Sequence, residues 1–168
     1  IFMALSAMHF GVIFACFAKR SLKPLSHSVT KYYFRVIAIA SIMTAFSLKL
    51  QGGYESWGRS FLDSTFQTVS YITTTGFGQA DNAGWPLLAN TIMIFLAIHC
   101  GCSGSTTGGI KADRMYISLK AIWGDFQKRL HPSSLFRTRI GGRVLVEDTV
   151  SSVFLYIVLY IFLLFISF

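Results

Sequence analysis

Charge is scarce in this sequence. Asp, Glu, Lys and Arg together make 13% of the 168 residues, about half the share of an ordinary soluble domain. Against that, 53% of the residues are apolar and the mean hydropathy is +0.55, so the chain reads as a membrane protein. Acids are scarcest, at seven. No carboxylate pair and no nucleophile beside a base stands at a useful spacing, and no enzyme is expected. Cysteine is rarer still, at three, and says nothing about disulfides. His99-Cys100-Gly101-Cys102 invites a metal reading, but structural zinc wants four ligands, usually more widely spaced, and no second cluster exists. With His9, His27 and His131 scattered, thiols buried as small apolar residues are the default.

What is present is four apolar stretches: Ile1 to Ala18, Tyr32 to Leu50, Pro86 to Cys100 and Val150 to Phe168. The second and fourth approach the roughly 20 residues that cross a bilayer as a helix. Arg35 and Lys49 lie near enough to the ends of the second to snorkel. The first stretch ends at Lys19-Arg20, whereas a secretory signal carries its basic residues ahead of the apolar run, so a spanning segment is expected instead. Both termini fall inside apolar runs, and the chain is expected to be a fragment.

Thirteen of the fifteen Lys and Arg lie in two connectors. Lys19, Arg20, Lys23, Lys31 and Arg35 flank the first, and Lys111, Arg114, Lys120, Lys128, Arg129, Arg137, Arg139 and Arg143 populate the second. The positive-inside rule makes the connectors 19–31 and 111–148 cytoplasmic and leaves Gln51 to Trp85, with Glu55, Asp63 and Asp81, outside. Membrane lipid suffices as partner for these cations, and no nucleic acid is expected because no aromatic recognition module accompanies them.

Between Leu50 and Pro86 the chain is not loop-like. Gln51-Gly52-Gly53 turns it, and Phe61 to Tyr71, free of Gly and Pro, is too short to span and suits a re-entrant half-helix with Ser60 as N-cap. Such a helix would aim the negative end of its dipole into the membrane. The chain must then return in irregular form, tolerated only where it lines water or is buried in protein. Thr73-Thr74-Thr75-Gly76-Phe77-Gly78 fits that ascent, with Gly76 and Gly78 permitting backbone angles that turn successive carbonyl oxygens toward an axis. Rings of carbonyls replace the hydration shell of a monovalent cation. Asp81 would stand at the outer mouth and concentrate cations there.

A second unusual stretch is Gly101 to Lys111, GCSGSTTGGIK. Pro86 to Cys100 is too short to span, and extending it crosses Gly101, Gly104, Gly108 and Gly109, so the helix must break. With Ser103, Ser105, Thr106 and Thr107 these glycines make a polar, flexible segment acceptable in a membrane only beside a water-filled path. A movable loop there could plug a conduit; a kinked helix packed through small residues is the plainer alternative. A phosphate-binding loop fails twice, because Ile110 follows Gly109 where Lys is needed and Ala112 follows Lys111 where Ser or Thr is needed. Beyond it, Tyr116, Leu119, Trp123, Phe126 and Leu130 repeat at helical spacing and predict one apolar stripe, read as core, with Lys111, Lys120 and Lys128 off it. Gly141-Gly142 then breaks the link to the last helix.

With TTTGFG after a half-helix and GCSGSTTGGIK about 25 residues later, the sequence resembles the Trk/Ktr/HKT superfamily of potassium transporters. Met8 to Phe10 (MHF) and His131 to Ser134 (HPSS) add further matches. The resemblance implies an all-α membrane fold in which helix, re-entrant pore loop and broken helix repeat in a potassium-channel-like plan. It implies that 1–18 ends a preceding repeat as a transmembrane helix, that 19–31 and 131–148 are cytoplasmic links, and that 149–168 starts the following repeat. Residues 32–130 would form the third repeat: outer helix 32–50, pore half-helix 60–72, filter 73–78, and broken inner helix 86–130 with its intramembrane loop at 101–109.

By the same resemblance, Thr74, Thr75, Gly76 and Phe77 would give one quarter of a K⁺ filter, and Gly101, Gly104, Ser105, Thr106, Thr107, Gly108 and Gly109 the gate. K⁺ is then the transported ion and no cofactor is implied. The remaining repeats of the same polypeptide complete the pore. A homodimer in the bacterial inner membrane is implied, with a cytosolic nucleotide-binding regulatory subunit on the basic inner face. His99, Cys100 and Thr107 depart from the pattern, where an apolar residue, a glycine, and Ala or Gly are usual. Cys100 is expected to stiffen the hinge, and His99 adds a group that titrates near neutral pH. Two rivals stand beside this reading: a homotetrameric two-helix potassium channel subunit, and a membrane redox or metal protein using His99, Cys100 and Cys102.

Overall fold

The computed structural model describes residues 1–51, 54, 56–130, 139–140, 143–144 and 147–167. The second and third residues of the Gln51-Gly52-Gly53 turn, Glu55, the His131 to Ser134 motif, Arg137 and the Gly141-Gly142 break lie outside the described residues. Helices dominate: α1 (Phe2–Ser6), α2 (Phe10–Lys19), a 3-10 turn (Lys23–Ser26), α3 (Ser28–Leu50), α4 (Trp57–Ile72), α5 (Leu87–Ile98), α6 (Ala112–Leu130) and α7 (Glu147–Ile166). Two-residue strands β1 (Arg139–Ile140) and β2 (Arg143–Val144) pair antiparallel between α6 and α7. The chain is all-α in class and divides into two compact units, Ile1–Ala112 and Asp113–Phe168.

Among the described residues two helices are long and apolar enough to cross a membrane, at Ser28–Leu50 and Asp148–Ile166. The first contains the stretch Tyr32 to Leu50 expected to span and the second covers Val150 to Ile166 of the other; each begins a few residues earlier than the apolar count implied. The run from Ile1 to Ala18, expected as one transmembrane helix, is instead two helices. α1 stops at Ser6, and His9, in an extended conformation, caps α2 by accepting from the Gly11 amide through Nδ1 at 3.0 Å. The break has a partner. The Ala7 carbonyl leaves the helical ladder and accepts from the Cys102 amide at 2.8 Å.

In the first unit α3 packs most extensively on α4. The buried positions of α3 include Ala40, Ser41, Thr44, Ala45, Ser47 and Leu48, a stripe at steps of three and four whose small residues allow close backbone approach. The buried face of α4 is polar: Ser60, Asp63, Ser64, Gln67, Thr68 and Ser70 face inward, while Phe61 and Leu62 stand about half exposed. This inverts the pattern of a soluble amphipathic helix, as expected where the surroundings are no more polar than the interior.

Two expectations about α4 are corrected. The helix starts at Trp57 rather than near Ser60, with Ser56 in the N-cap position. Ser60 lies inside it, where its hydroxyl donates to the Ala45 carbonyl of α3 at 2.9 Å, so the serine ties two helices together. Asp63 is 2% exposed and accepts from Arg59 Nε at 3.3 Å, one turn earlier.

In the second unit the apolar stripe of α6, expected to rest against protein or lipid, is uncovered among the described residues. Leu119, Trp123, Phe126 and Leu130 are all about half exposed or more, and the buried positions are the small Ser118 and Ala121. α7 is likewise uncovered, with Leu155, Val158 and Phe162 each about 60% exposed. Within this unit the Arg114 guanidinium lies 3.7 Å from the Tyr156 ring centroid, a close cation–π contact.

Candidate functional site

α4 ends where its sequence turns to Ile72-Thr73-Thr74-Thr75, a β-branched run that loses rotamer freedom in a helix. The end is a Schellman motif. The Thr75 amide donates to the Ser70 carbonyl and the Thr74 amide to the Tyr71 carbonyl, each at 3.0 Å, which satisfies carbonyls the helix leaves open. Such a motif needs a left-handed residue, normally glycine; here Thr74 takes it, at φ 52°. A β-branched residue in that conformation costs on the order of 1–3 kcal/mol. Thr73 and Thr75 join hydroxyls at 2.6 Å, which holds the strained residue between two fixed neighbours.

From Thr75 to Gly78 the chain is neither helix nor strand. Gly76 has φ 79° and open space where a Cβ would stand, so the requirement for glycine there is conformational rather than steric. Gly78, expected to share this freedom, does not adopt a positive φ; the left-handed positions are Thr74 and Gly76. Thr74, Gly76, Phe77, Gly78 and Asp81 all line one cavity of about 590 Å³. Asp81 is exposed, and its Oδ1 accepts from the Ala83 amide at 2.9 Å, a local turn that fixes the carboxylate at the rim.

α5 ends at Ile98, and α6 begins at Ala112. The helix is broken between them as the glycine count required, over a slightly longer stretch than 101–109. The break is built, not slack. His99 and Ile110 form a parallel bridge, in which the Cys100 amide donates to the Ile110 carbonyl at 2.9 Å, the Ile110 amide to Ile98 at 3.1 Å and the Ala112 amide to Gly101 at 2.9 Å. Gly101 is needed for close approach, since a Cβ there would sit 2.6 Å from the Ala7 carbonyl oxygen and 3.0 Å from Thr107 Cγ2. Gly104 and Gly109 take positive φ at 74° and 70°.

Inside this loop, Ser105 Oγ donates to the Cys102 carbonyl at 2.6 Å and meets Thr107 Oγ1 at 2.8 Å. The Lys111 ammonium reaches back to the Ser105 carbonyl at 3.3 Å, to Thr107 Oγ1 at 3.2 Å and to the Thr107 carbonyl. An ammonium donates three hydrogen bonds and accepts none, so it closes the loop around a set of oxygens. Thr107 thus has partners for its hydroxyl and is buried without cost. The loop also meets the turn: the Gly108 amide donates to Thr74 Oγ1 at 3.2 Å. Thr106 is exposed.

Two residues of this region were given no role at the site from the sequence. His9 lies against the loop, its ring 3.5 Å from where a Gly104 Cβ would stand, and the Phe10 amide donates to the Gly104 carbonyl at 3.4 Å. Gln67, one polar residue among many in α4, reaches the 78–82 segment. His99 is fully buried, with Nε2 2.9 Å from the Tyr32 hydroxyl and its ring beside Tyr32 and Phe95. Cys100 and Cys102 are buried thiols, and Cys100 Sγ donates to the Ala97 carbonyl at 3.3 Å.

Helices throughout, two of them long and apolar enough to span, with one helix that unwinds into a strained turn and a break at glycines laced to it, define an all-helical membrane protein. The chain belongs to the TrkH family, described as cation transport protein, whose profile matches residues 1–168. It is 31% identical over 160 residues to the Trk system potassium uptake protein TrkG of Escherichia coli K12, which covers 95% of this chain and 33% of TrkG. It is 30% identical to the TrkH protein of Vibrio parahaemolyticus, covering 91% of this chain and 32% of that one. The crystal structure titled the potassium transporter TrkH from Vibrio parahaemolyticus superposes with a TM-score of 0.83 at 28% identity, covering 91% of this chain and 33% of that chain. The chain spans about a third of the length of the relatives it matches. The family is one of transport rather than catalysis.

Proposed function

We propose that this chain is the pore-lining third repeat, with parts of its neighbours, of a potassium uptake protein that works by a channel-like mechanism. Residues 32–130 are the complete repeat, 1–18 the end of the preceding one and 149–168 the start of the next, joined by cytoplasmic links at 19–31 and 131–148. The main-chain oxygens of Thr74, Thr75, Gly76 and Phe77 supply one quarter of a ring that replaces the water around K⁺ as substrate. Asp81 raises the local cation concentration at the outer mouth. The loop from Gly101 to Gly109 gates the path. The other repeats of the polypeptide cover the uncovered apolar faces of α6 and α7. The whole protein is a homodimer of the bacterial inner membrane, and a cytosolic nucleotide-binding subunit docks on its basic inner face.

The observation that carries this reading is the left-handed Thr74 at the mouth of an unwound, glycine-containing turn. Backbone strain of that size persists where function fixes it. Against a homotetrameric two-helix channel stands the laced break at 99–111, which that architecture does not need. Against redox or metal chemistry stand the engagement of His99 by Tyr32 and the burial of both thiols.

The test is ion flux in the intact transporter. Gly76→Ser forces a side chain onto a residue at φ 79°, costing roughly 1–2 kcal/mol unless the turn re-forms. It should lower rubidium over sodium discrimination about tenfold. An unchanged flux ratio in well-expressed protein would count against the filter, and stoichiometric bound transition metal in the purified protein would favour the metal reading.

A further inference from the structure

The polar face of α4 includes one side chain that leaves the helix pair and reaches the ascending chain. Gln67 is 2% exposed. Its Nε2 donates to the Ala80 carbonyl at 3.0 Å and to Asn82 Oδ1 at 2.6 Å. Asn82 in turn donates from Nδ2 to the Tyr71 hydroxyl at 3.2 Å, and Tyr71 is one turn beyond Gln67 on the same helix. Asn82 is therefore bonded to two α4 side chains one turn apart, Gln67 and Tyr71. A Cβ on Gly78 would stand 3.9 Å from Gln67 Nε2, so the amide also lies against the chain where it leaves the unwound segment. Gln67, Tyr71 and Asn82 line the same cavity as Thr74, Gly76 and Phe77.

We infer that Gln67 is a specificity-determining positioning residue: with Asn82 and Tyr71 it braces residues 78–82 against α4 and so sets the spacing of the carbonyls at Thr74 to Phe77. This rests on the filter reading above. The unwound segment has no helical or ladder hydrogen bonds of its own to define its width. It is pinned at its start by the Schellman end of α4 and, on its far side, by the Gln67 amide. A neutral amide suits the task, because both of its N–H groups can be spent on oxygens of the ascending limb. A carboxylate at this position would instead face the Ala80 and Asn82 oxygens with no donor.

The experiment compares rubidium and sodium flux in the intact transporter. Gln67→Leu keeps side-chain bulk and removes both donors; it should lower rubidium over sodium discrimination by about tenfold, the scale of one to two buried hydrogen bonds, while rubidium still permeates. Asn82→Ala, half-buried and outside the α3–α4 contact, should lower the same ratio and decides the matter if Gln67→Leu does not accumulate. Gln67→Asn shortens the reach and should behave like Gln67→Leu. Adding Asn82→Gln to it returns the missing methylene from the other side and should recover much of the discrimination, a rescue that a general packing defect would not give. If Gly76→Ser lowers the ratio but Gln67→Leu and Asn82→Ala leave it unchanged, the brace is overturned and the filter stands. If none of the three changes it, the filter reading falls and the brace with it.

Discussion

The main-chain amide of Gly108 donates to the side-chain oxygen of Thr74 at 3.2 Å, joining two unwound segments 34 residues apart in sequence. A glycine loop inside a broken helix is thereby held against the turn where α4 ends. In the gating proposed above, movement of the loop must first give up this bond.

Replacing Thr74 by Val keeps the shape of the side chain and removes the acceptor. Losing a hydrogen bond of ~1 kcal/mol should shift the loop equilibrium about fivefold toward release and raise rubidium uptake accordingly. Thr74→Ser retains the oxygen and should hold uptake near wild type. Equal uptake in the two variants would remove the tether from the mechanism.

Lys111 closes the loop on itself through the Ser105 and Thr107 oxygens. Lys111→Met preserves the aliphatic stem and frees those oxygens, and should raise flux by several fold. Deleting Gly104 to Thr107 should raise it further, because the proposed gate loses most of its loop. Unchanged uptake in both, in protein that reaches the membrane, would mean the loop does not gate.

Gly101 and Gly108 make opposite predictions about stability. A methyl on Gly101 would collide with the Ala7 carbonyl at 2.6 Å, and overpacking of this kind costs about 1–3 kcal/mol. Gly101→Ala should therefore lower the melting temperature of the detergent-solubilised transporter. Gly108 has nothing within 4 Å of a Cβ, so Gly108→Ala should change stability by less than about 0.5 kcal/mol. A melting temperature unaffected by Gly101→Ala would show that Ala7 and Gly101 do not touch in the intact protein.

Cys100 and Cys102 are buried while Cys16 is half-buried. In folded protein a membrane-permeant maleimide should label Cys16 well ahead of the other two, and denaturation should equalise them. Rapid labelling of Cys100 or Cys102 would restore weight to a redox role.

Much of this arrangement was legible in one dimension. Apolar length alone located α3 and α7, since crossing a bilayer imposes a minimum run that local sequence cannot disguise. The break at 73–78 and the core of the second break, read at 101–109, were legible too, because β-branched threonines and clustered glycines disfavour helix whatever surrounds them. Other features were not. That Ile1 to Ala18 is two helices depends on Ala7 being drawn to Cys102, and no propensity within the first stretch announces a partner 95 residues away. The stripe of Leu119, Trp123 and Phe126 had a clear period, but periodicity shows that residues share a face, not that the face is covered.

The sequence by itself determined composition, span length and where helix must stop, because these depend on backbone chemistry and on neighbours within a few residues. Only the tertiary structure decided which left-handed residues carry the turn, Thr74 and Gly76 rather than Gly76 and Gly78. It also decided that Gln67 and Lys111 spend their donors on backbone oxygens of the turn and loop. Those choices rest on distances between segments far apart in the chain, and a hydrogen bond exists only once folding has brought donor and acceptor within about 3 Å.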